Sequence, residues 1–175
     1  MKKKVAINGF GRIGRLVYRA FLERLNEFSD QFDISYINDL ADIDSNIHLL
    51  KYDSIHGPLN KEINKISNEQ FSIGKNTVTV TSERNPIDLK WKDKNVDIIL
   101  ECTGVFASKE KAMSHIESGA SKVIVSAPCS GADITVVQGV NNENINIDHQ
   151  IISNASCTTN CCLLYTSDAA DDRLS

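Results

Sequence analysis

The sequence predicts an α/β fold: a mostly parallel twisted sheet with helices on both faces and a small antiparallel insertion. Three observations predict it. Short apolar runs at residues 5–7, 34–37, 97–100 and 122–125 alternate with segments of helical periodicity, the pattern of strands buried on both faces and joined by crossover helices. A glycine-rich turn, Gly9-Phe10-Gly11-Arg12-Ile13-Gly14, joins the first strand directly to the first helix. Three further short runs, at residues 63–66, 70–73 and 77–81, follow one another with only short polar turns such as Gly74-Lys75-Asn76 between them, which reads as antiparallel pairing.

Each element can be justified in order. Ile13, Leu16, Val17, Ala20, Phe21 and Leu25 form one apolar face of a helix that ends near residues 26–30. Strand, glycine turn and helix in this order turn Gly-x-Gly-x-x-Gly into the dinucleotide-binding fingerprint of a Rossmann-type domain. Gly9 allows the tight turn, Gly11 lets the backbone approach a pyrophosphate, and Gly14 lets the helix pack close to the strand. The free N–H groups of the first helical turn then face the phosphates. The second strand ends in Asn38-Asp39, 25 residues past Gly14. An acid there accepts hydrogen bonds from the ribose 2′- and 3′-hydroxyls and repels a 2′-phosphate, so Asp39 favours NAD over NADP. A turn or N-cap aspartate is the other reading.

Asp42 or Asp44 starts a helix carrying Ile43, Ile47 and Leu50, and residues 51–58 read as a loop in which His56 is structural. Residues 97–100 run into Glu101-Cys102-Thr103-Gly104, at a carboxyl edge where ligands collect. Ser108 is an N-cap candidate for a helix with Ala112, Met113 and Ile116 on its apolar face and Gly119 at its close. Residues 122–125, leading into Ser126-Ala127-Pro128, and residues 134–137 are further strands.

Bulk properties exclude several classes. A net charge of −4 gives no basic footprint for nucleic acid or an anionic membrane. The apolar run after Lys2-Lys3-Lys4 ends at Ile7, too short for a signal peptide or a membrane span. Five cysteines without such a segment point to free thiols in a reducing compartment, hence the cytoplasm.

Residues 151–161 carry the candidate chemistry. An apolar strand end meets Ser153-Asn154-Ala155-Ser156-Cys157-Thr158-Thr159-Asn160-Cys161, a cluster of helix-start residues. Cys157 then lies in the first turn of a helix, where partial positive charge favours the thiolate. Ser156 and Thr158 flank it with donors suited to a small anionic substrate. Spacing alone leaves Cys157 open between nucleophile and buried structural cysteine. No Cys-x-x-Cys pair is present and His149 is the only nearby imidazole, so no metal site is expected.

Together with Ala6-Ile7-Asn8-Gly9-Phe10-Gly11-Arg12-Ile13-Gly14-Arg15, Ile37-Asn38-Asp39-Leu40, Leu50-Lys51-Tyr52-Asp53-Ser54 and Glu101-Cys102-Thr103-Gly104, this last motif resembles the phosphorylating glyceraldehyde-3-phosphate dehydrogenases. The resemblance runs from the N-terminus to about Cys161. It implies an NAD-binding domain over residues 1–154 and the start of a catalytic domain from residue 155. By resemblance, Arg12 and Ile13 meet the pyrophosphate, Asp39 the ribose and Arg84 the adenine end, while Leu40 fits NAD-preferring members. Thr103, Gly104 and Phe106 lie along the cofactor groove and Ser126 near the nicotinamide. Cys157 matches the catalytic thiol, and Ser156 and Thr158 match contacts to the substrate or inorganic phosphate. The implied reaction oxidises glyceraldehyde 3-phosphate to 1,3-bisphosphoglycerate with NAD, through a thiohemiacetal and a thioester on Cys157. A homotetramer is the family expectation.

The chain departs from the family after Cys161, where a Leu-Ala-Pro-containing helix and a second domain are expected. The apolar helical pattern fails at Ser167, and three aspartates oppose the dipole of a helix C-terminus. Residues 163–175 are therefore expected to be foreign to the family and the chain truncated, a divergent natural tail being the alternative. Nothing matches the family's general-base histidine, its substrate-binding arginine or the asparagine that holds the nicotinamide amide. The polypeptide alone is thus expected to lack turnover, to bind NAD weakly and to expose apolar surface. Erythrose-4-phosphate dehydrogenase, with water as acceptor, and a non-catalytic NAD-binding or thiol-sensing fragment are the alternatives.

Overall fold

Val5, Ala6 and Ile7 are almost wholly buried, yet neighbours along the strand enter different cores. Val5 and Ile7 join one cluster and Ala6 the other. This period of two makes the strand a wall between two apolar layers. The structure, a computed structural model, describes residues 2–171. The strands are β1 (Lys3–Asn8), β2 (Phe32–Asn38), β3 (Tyr52–Asp53), β4 (Gly57–Pro58), β5 (Ile63–Lys65), β6 (Gln70–Ile73), β7 (Asn76–Thr81), β8 (Ile98–Glu101), β9 (Lys122–Val125), β10 (Ile134–Thr135) and β11 (Ile151–Ser153). The helices are α1 (Arg12–Glu23), α2 (Leu25–Phe28), α3 (Ile43–Lys51), α4 (Trp91–Lys94), α5 (Lys109–Glu117) and α6 (Cys157–Asp171).

The main sheet has the order β10-β11-β9-β8-β1-β2-β7-β6-β5. Pairing is parallel from β10 through to β7 and antiparallel from β7 through β6 to β5. Tyr18, Phe21 and Leu22 of α1 and Ile43 and Leu50 of α3 pack on one face, with Val5, Ile7, Ile34 and Ile37. Trp91 of α4 and Ala112 of α5 pack on the other, with Ala6, Ile99 and Val123. Helices thus cover both faces, as the alternating pattern requires.

The antiparallel insertion is fused to the parallel sheet, because β7 runs parallel to β2 and covers its outer edge. An uncovered β2 would leave a row of unpaired backbone groups. The expected loop at residues 51–58 contains the two-stranded β3–β4 ladder. Arg19, only 6% exposed, anchors it by donating to the carbonyls of Leu50, Lys51 and Gly57. Asp42 is the N-cap of α3, accepting from the Ser45 amide, and Ser108 caps α5 through the Lys111 amide. The strand expected at residues 134–137 is limited to Ile134–Thr135, since the Val137 amide turns to the Asn141 side chain. Helix α6 continues past Ser167 to Asp171. Once nucleated, a helix gains a hydrogen bond per added residue, and Ala169 and Ala170 favour it. The expectation of a foreign tail over residues 163–175 falls partly on residues outside those described.

Candidate active site

β1, β2 and β8 deliver polar side chains to one place. Asn8, Asn38 and Glu101 are the last residues of these strands, and each is nearly inaccessible. β1 lies between β2 and β8, so the chain leaves it in opposite lateral directions, the switch point where doubly wound sheets bind ligands. A cavity of about 380 Å³ opens there. Its walls include Gly9, Gly11, Asp39, Arg84, Thr103 and Phe106, all sequence-predicted cofactor contacts.

The glycines differ in what they permit. Gly9 has φ +89°, and a Cβ on it would lie 2.7 Å from the Thr103 nitrogen. A Cβ on Gly14 would lie 2.2 Å from the Gly9 carbonyl oxygen, so α1 packs against the turn only without a side chain. A Cβ on Gly11 would meet nothing within 4 Å. Gly11 is the N-cap of α1 and has no side-chain cap, and the first-turn amides of Arg12, Ile13 and Gly14 lack intrahelical acceptors. An open space beside free donors fits a diphosphate.

Asp39 stands at the tip of β2 and accepts from the Phe10 amide (2.6 Å) and the Ala41 amide (2.9 Å). Both its oxygens are engaged and the residue lines the groove, a placement suited to a ribose diol. Arg12 pairs with Asp53 at 3.1 Å. The His56 and Ile55 amides, then Arg12, hold the Asp53 carboxyl down at about 2. Ile13 is half exposed beside it. Gly104 (φ +75°) shapes the loop after β8. Ser126, following β9, donates its amide to the Glu101 carbonyl and hydrogen-bonds Cys102. Burial pushes the Cys102 thiol up to about 11.

The thiol corner is built differently. β11 ends at Ser153, whose buried hydroxyl accepts from the Cys129 and Ala155 amides and donates to the Ala127 carbonyl. Ala155 takes φ +55°. Ser156 then caps α6 by accepting from the Thr159 amide at 2.9 Å, and its hydroxyl also meets those of Thr158 and Thr159. Cys157 is the first helical residue, and its side chain is exposed rather than buried. β11 is two strands along from β8, a lateral distance of about 10 Å, and Cys157 lies beyond its carboxyl end. Groove and sulfur therefore share one edge of the sheet.

A family model described as glyceraldehyde 3-phosphate dehydrogenase, NAD binding domain, matches residues 3–109. The chain belongs to the glyceraldehyde 3-phosphate dehydrogenase family. NAD is the cofactor of this family's N-terminal domain, and the fingerprint turn and Asp39 both fall within the matched residues. The chain is similar to the glyceraldehyde-3-phosphate dehydrogenase of Xanthobacter flavus, 50% identical over 163 residues, which are 92% of this chain and 47% of the relative. It is 47% identical to that of Cereibacter sphaeroides over 163 residues (92% and 46%). It is 49% identical to that of Thermotoga maritima over 157 residues (90% and 46%). A stretch covering 92% of the chain necessarily includes Cys157. The chain spans about half the length of these curated relatives.

Asn8, Asn38 and Glu101 stand in the sequence motifs with no role assigned to them, and His115 and Trp91 stand outside those motifs. The available signal was a polar residue ending each apolar strand. Among the described residues no cluster of three or more His, Cys, Asp or Glu could hold a metal ion, and no helix is long and apolar enough to cross a membrane.

Proposed function

We propose that this chain carries the NAD-binding part and the catalytic thiol of a phosphorying dehydrogenase acting on glyceraldehyde 3-phosphate. One observation carries the reading: an exposed cysteine in the first turn of a helix, on the same sheet edge as a groove lined by the dinucleotide fingerprint. Gly9, Gly11 and Gly14 shape the cradle, and Arg12, Ile13 and the first-turn amides of α1 hold the diphosphate. Asp39 takes the ribose hydroxyls and selects NAD. Arg84 stands at the adenine end, Thr103, Gly104 and Phe106 line the groove, and Ser126 stands near the nicotinamide. NAD, when bound, supplies the acceptor for a hydride.

Cys157 Sγ adds as a thiolate to the aldehyde carbon, forming a C–S bond while the carbonyl electron pair moves to oxygen. After oxidation the sulfur holds the acyl group as a thioester. Inorganic phosphate then displaces it, returning the thiolate and releasing an acyl phosphate. Ser156 and Thr158 offer hydroxyls to the anionic groups. The setting is the cytoplasm, the partners are a sugar phosphate and inorganic phosphate rather than nucleic acid or membrane, and the full-length assembly is a homotetramer.

A chimaera tests this. Residues 1–161 joined to the second half of the Xanthobacter flavus enzyme should form NADH from glyceraldehyde 3-phosphate only with inorganic phosphate present. Cys157→Ser should lower the rate by at least about a thousandfold. A preference for erythrose 4-phosphate without a phosphate requirement would reassign the substrate. A folded, NAD-binding chimaera with no turnover, or full activity in the serine variant, would refute the reading.

A further inference from the structure

Beneath the groove lies a chain of hydrogen-bonded polar side chains, its deepest members closed off from the groove itself. Indole N–H is only a donor, so Trp91 Nε1, 3.0 Å from His115 Nδ1, requires that nitrogen to be unprotonated. The ring proton then sits on Nε2, which donates to a Glu101 carboxylate oxygen at 3.0 Å. His115 is fully buried and Glu101 is 1% exposed. Their contact is therefore a hydrogen bond from a neutral imidazole to a carboxylate, not an ion pair.

The same sense holds from the other side. Asn8 Nδ2 donates to Glu101 at 2.6 Å, which turns the Asn8 oxygen towards Asn38. Asn38 Nδ2 donates to that oxygen at 2.8 Å, which turns the Asn38 oxygen towards the Glu83 amide (2.8 Å) and the Thr81 hydroxyl (3.0 Å). The second carboxylate oxygen of Glu101 accepts from the Thr103 amide at 2.8 Å and from the Thr103 hydroxyl. Thr103 Oγ1 in turn accepts from the Val105 amide, so its hydroxyl proton has one direction left. Glu101 thus accepts directly from Asn8 Nδ2, His115 Nε2 and the amide and hydroxyl of Thr103, with Trp91 and Asn38 acting through His115 and Asn8, while Asn38 Nδ2 also donates to the Glu83 carbonyl at 2.8 Å. The residues so held, Asn8, Asn38, Glu83 and Thr103, line the groove, whereas Glu101, His115 and Trp91 do not.

We infer that Glu101 is a positioning residue of the NAD groove: a buried acceptor on which Asn8, Thr103 and His115 converge, setting Thr103 against the Gly9 turn, with His115 serving it as an Nε2–H donor. The inference deepens the cofactor reading and rests on it. Glutamine in place of Glu101 would bring an NH2 against a donor on one side or the other. His115 cannot relieve the clash by changing tautomer, because Trp91 blocks a proton on Nδ1. At least one buried donor stays unpaired, and the groove wall it held is released.

The test uses the 175-residue chain. Calorimetric titration with NAD should show about tenfold weaker binding for Glu101→Gln. Thr103→Val should weaken binding similarly, and Thr103→Ser, which keeps the hydroxyl, should restore it. In the Thr103→Val background Glu101→Gln should cost clearly less than alone. Amide exchange in Glu101→Gln should quicken at Thr103 and Glu83 but not in β5 or β6. Nitrogen NMR at neutral pH should find His115 as the Nε2–H tautomer.

A folded Glu101→Gln chain that binds NAD as the parent does would overturn the inference. So would an Nδ1-protonated His115. If Glu101→Gln does not fold, the Thr103 pair decides, equal affinity for valine and serine counting against. If the parent itself binds no NAD, the cofactor reading falls, and the tautomer and exchange measurements still judge the network.

Discussion

Two strand-to-helix corners face the same edge of the sheet, and they solve one geometric problem with opposite chemistry. At the first, β1 turns into α1 through Gly9 at φ +89°. At the second, β11 turns into α6 through Ala155 at φ +55°. The first corner is made of missing side chains: its N-cap is Gly11, and the helix donors stay open. The second is made of hydroxyls: Ser153 ties three backbone groups together, and Ser156 takes up a helix donor. A corner that leaves its amides free is suited to hold an anionic ligand by its backbone. A corner that caps one of them with a hydroxyl is suited to present a side chain, here Cys157. The difference shows how one motif, a strand end before a helix, becomes a cradle or a pedestal.

The comparison can be broken most severely at Gly14. Gly14→Ala puts a methyl 2.2 Å from the Gly9 carbonyl, and backbone cannot swing aside. We expect a loss of about 3 kcal/mol or more in urea unfolding; an unchanged midpoint would mean that α1 is not seated as described. At the other corner, mass-spectrometric alkylation at neutral pH should modify exposed Cys157 roughly a hundredfold faster than Cys102, whose burial raises its thiol to about 11. Equal rates would erase the distinction between presented and structural thiols.

Gly11→Ala sharpens the contrast with Gly14. Its methyl enters open space, so the cost should be only that of alanine at an N-cap, about 1 kcal/mol. NAD affinity should nonetheless fall about tenfold, because that space is where the diphosphate approaches. Parallel loss of folding and binding would show that the two glycines share one role.

The smallest effect concerns Asp133, which braces the second corner by accepting from the Gln150 and Ile151 amides at 2.8 Å each and from Lys109. Burial opposes its ionisation, but the Ile151 amide, Lys109 and the Gln150 amide outweigh it and hold the carboxyl at about 2. The folded value lies below the unfolded one, so the stabilisation is present above about pH 4 and is lost as pH falls towards 2. Asp133→Asn should lower the melting temperature at neutral pH, with the gap closing in acid. A gap that persisted at pH 2 would remove the carboxylate from the account.

Much of this molecule is written locally. The β1–α1 corner, Asp39 at the tip of β2, the Ser108 cap and the apolar strands all follow from residues a few positions apart. So does Cys157 at a helix start, because Ser156 caps a turn only three residues long. Local spacing also carried the family resemblance, since its motifs are contiguous. The segment around Trp91 was not legible, because Pro86–Leu89 and Trp91–Lys94 are single turns with no periodicity to read.

What the tertiary structure alone decided is which distant residues meet. Asn8 and Glu101 are 93 positions apart and His115 and Glu101 are 14 apart, yet all three touch beneath one groove. The parallel attachment of β7 to β2, and the placing of β11 two strands from β8, are decisions of the same kind. Hydrophobic periodicity specifies what each element buries, because burial depends on spacing along the element itself. Which strands become neighbours, and which polar ends they bring together, depends on how those buried faces pack.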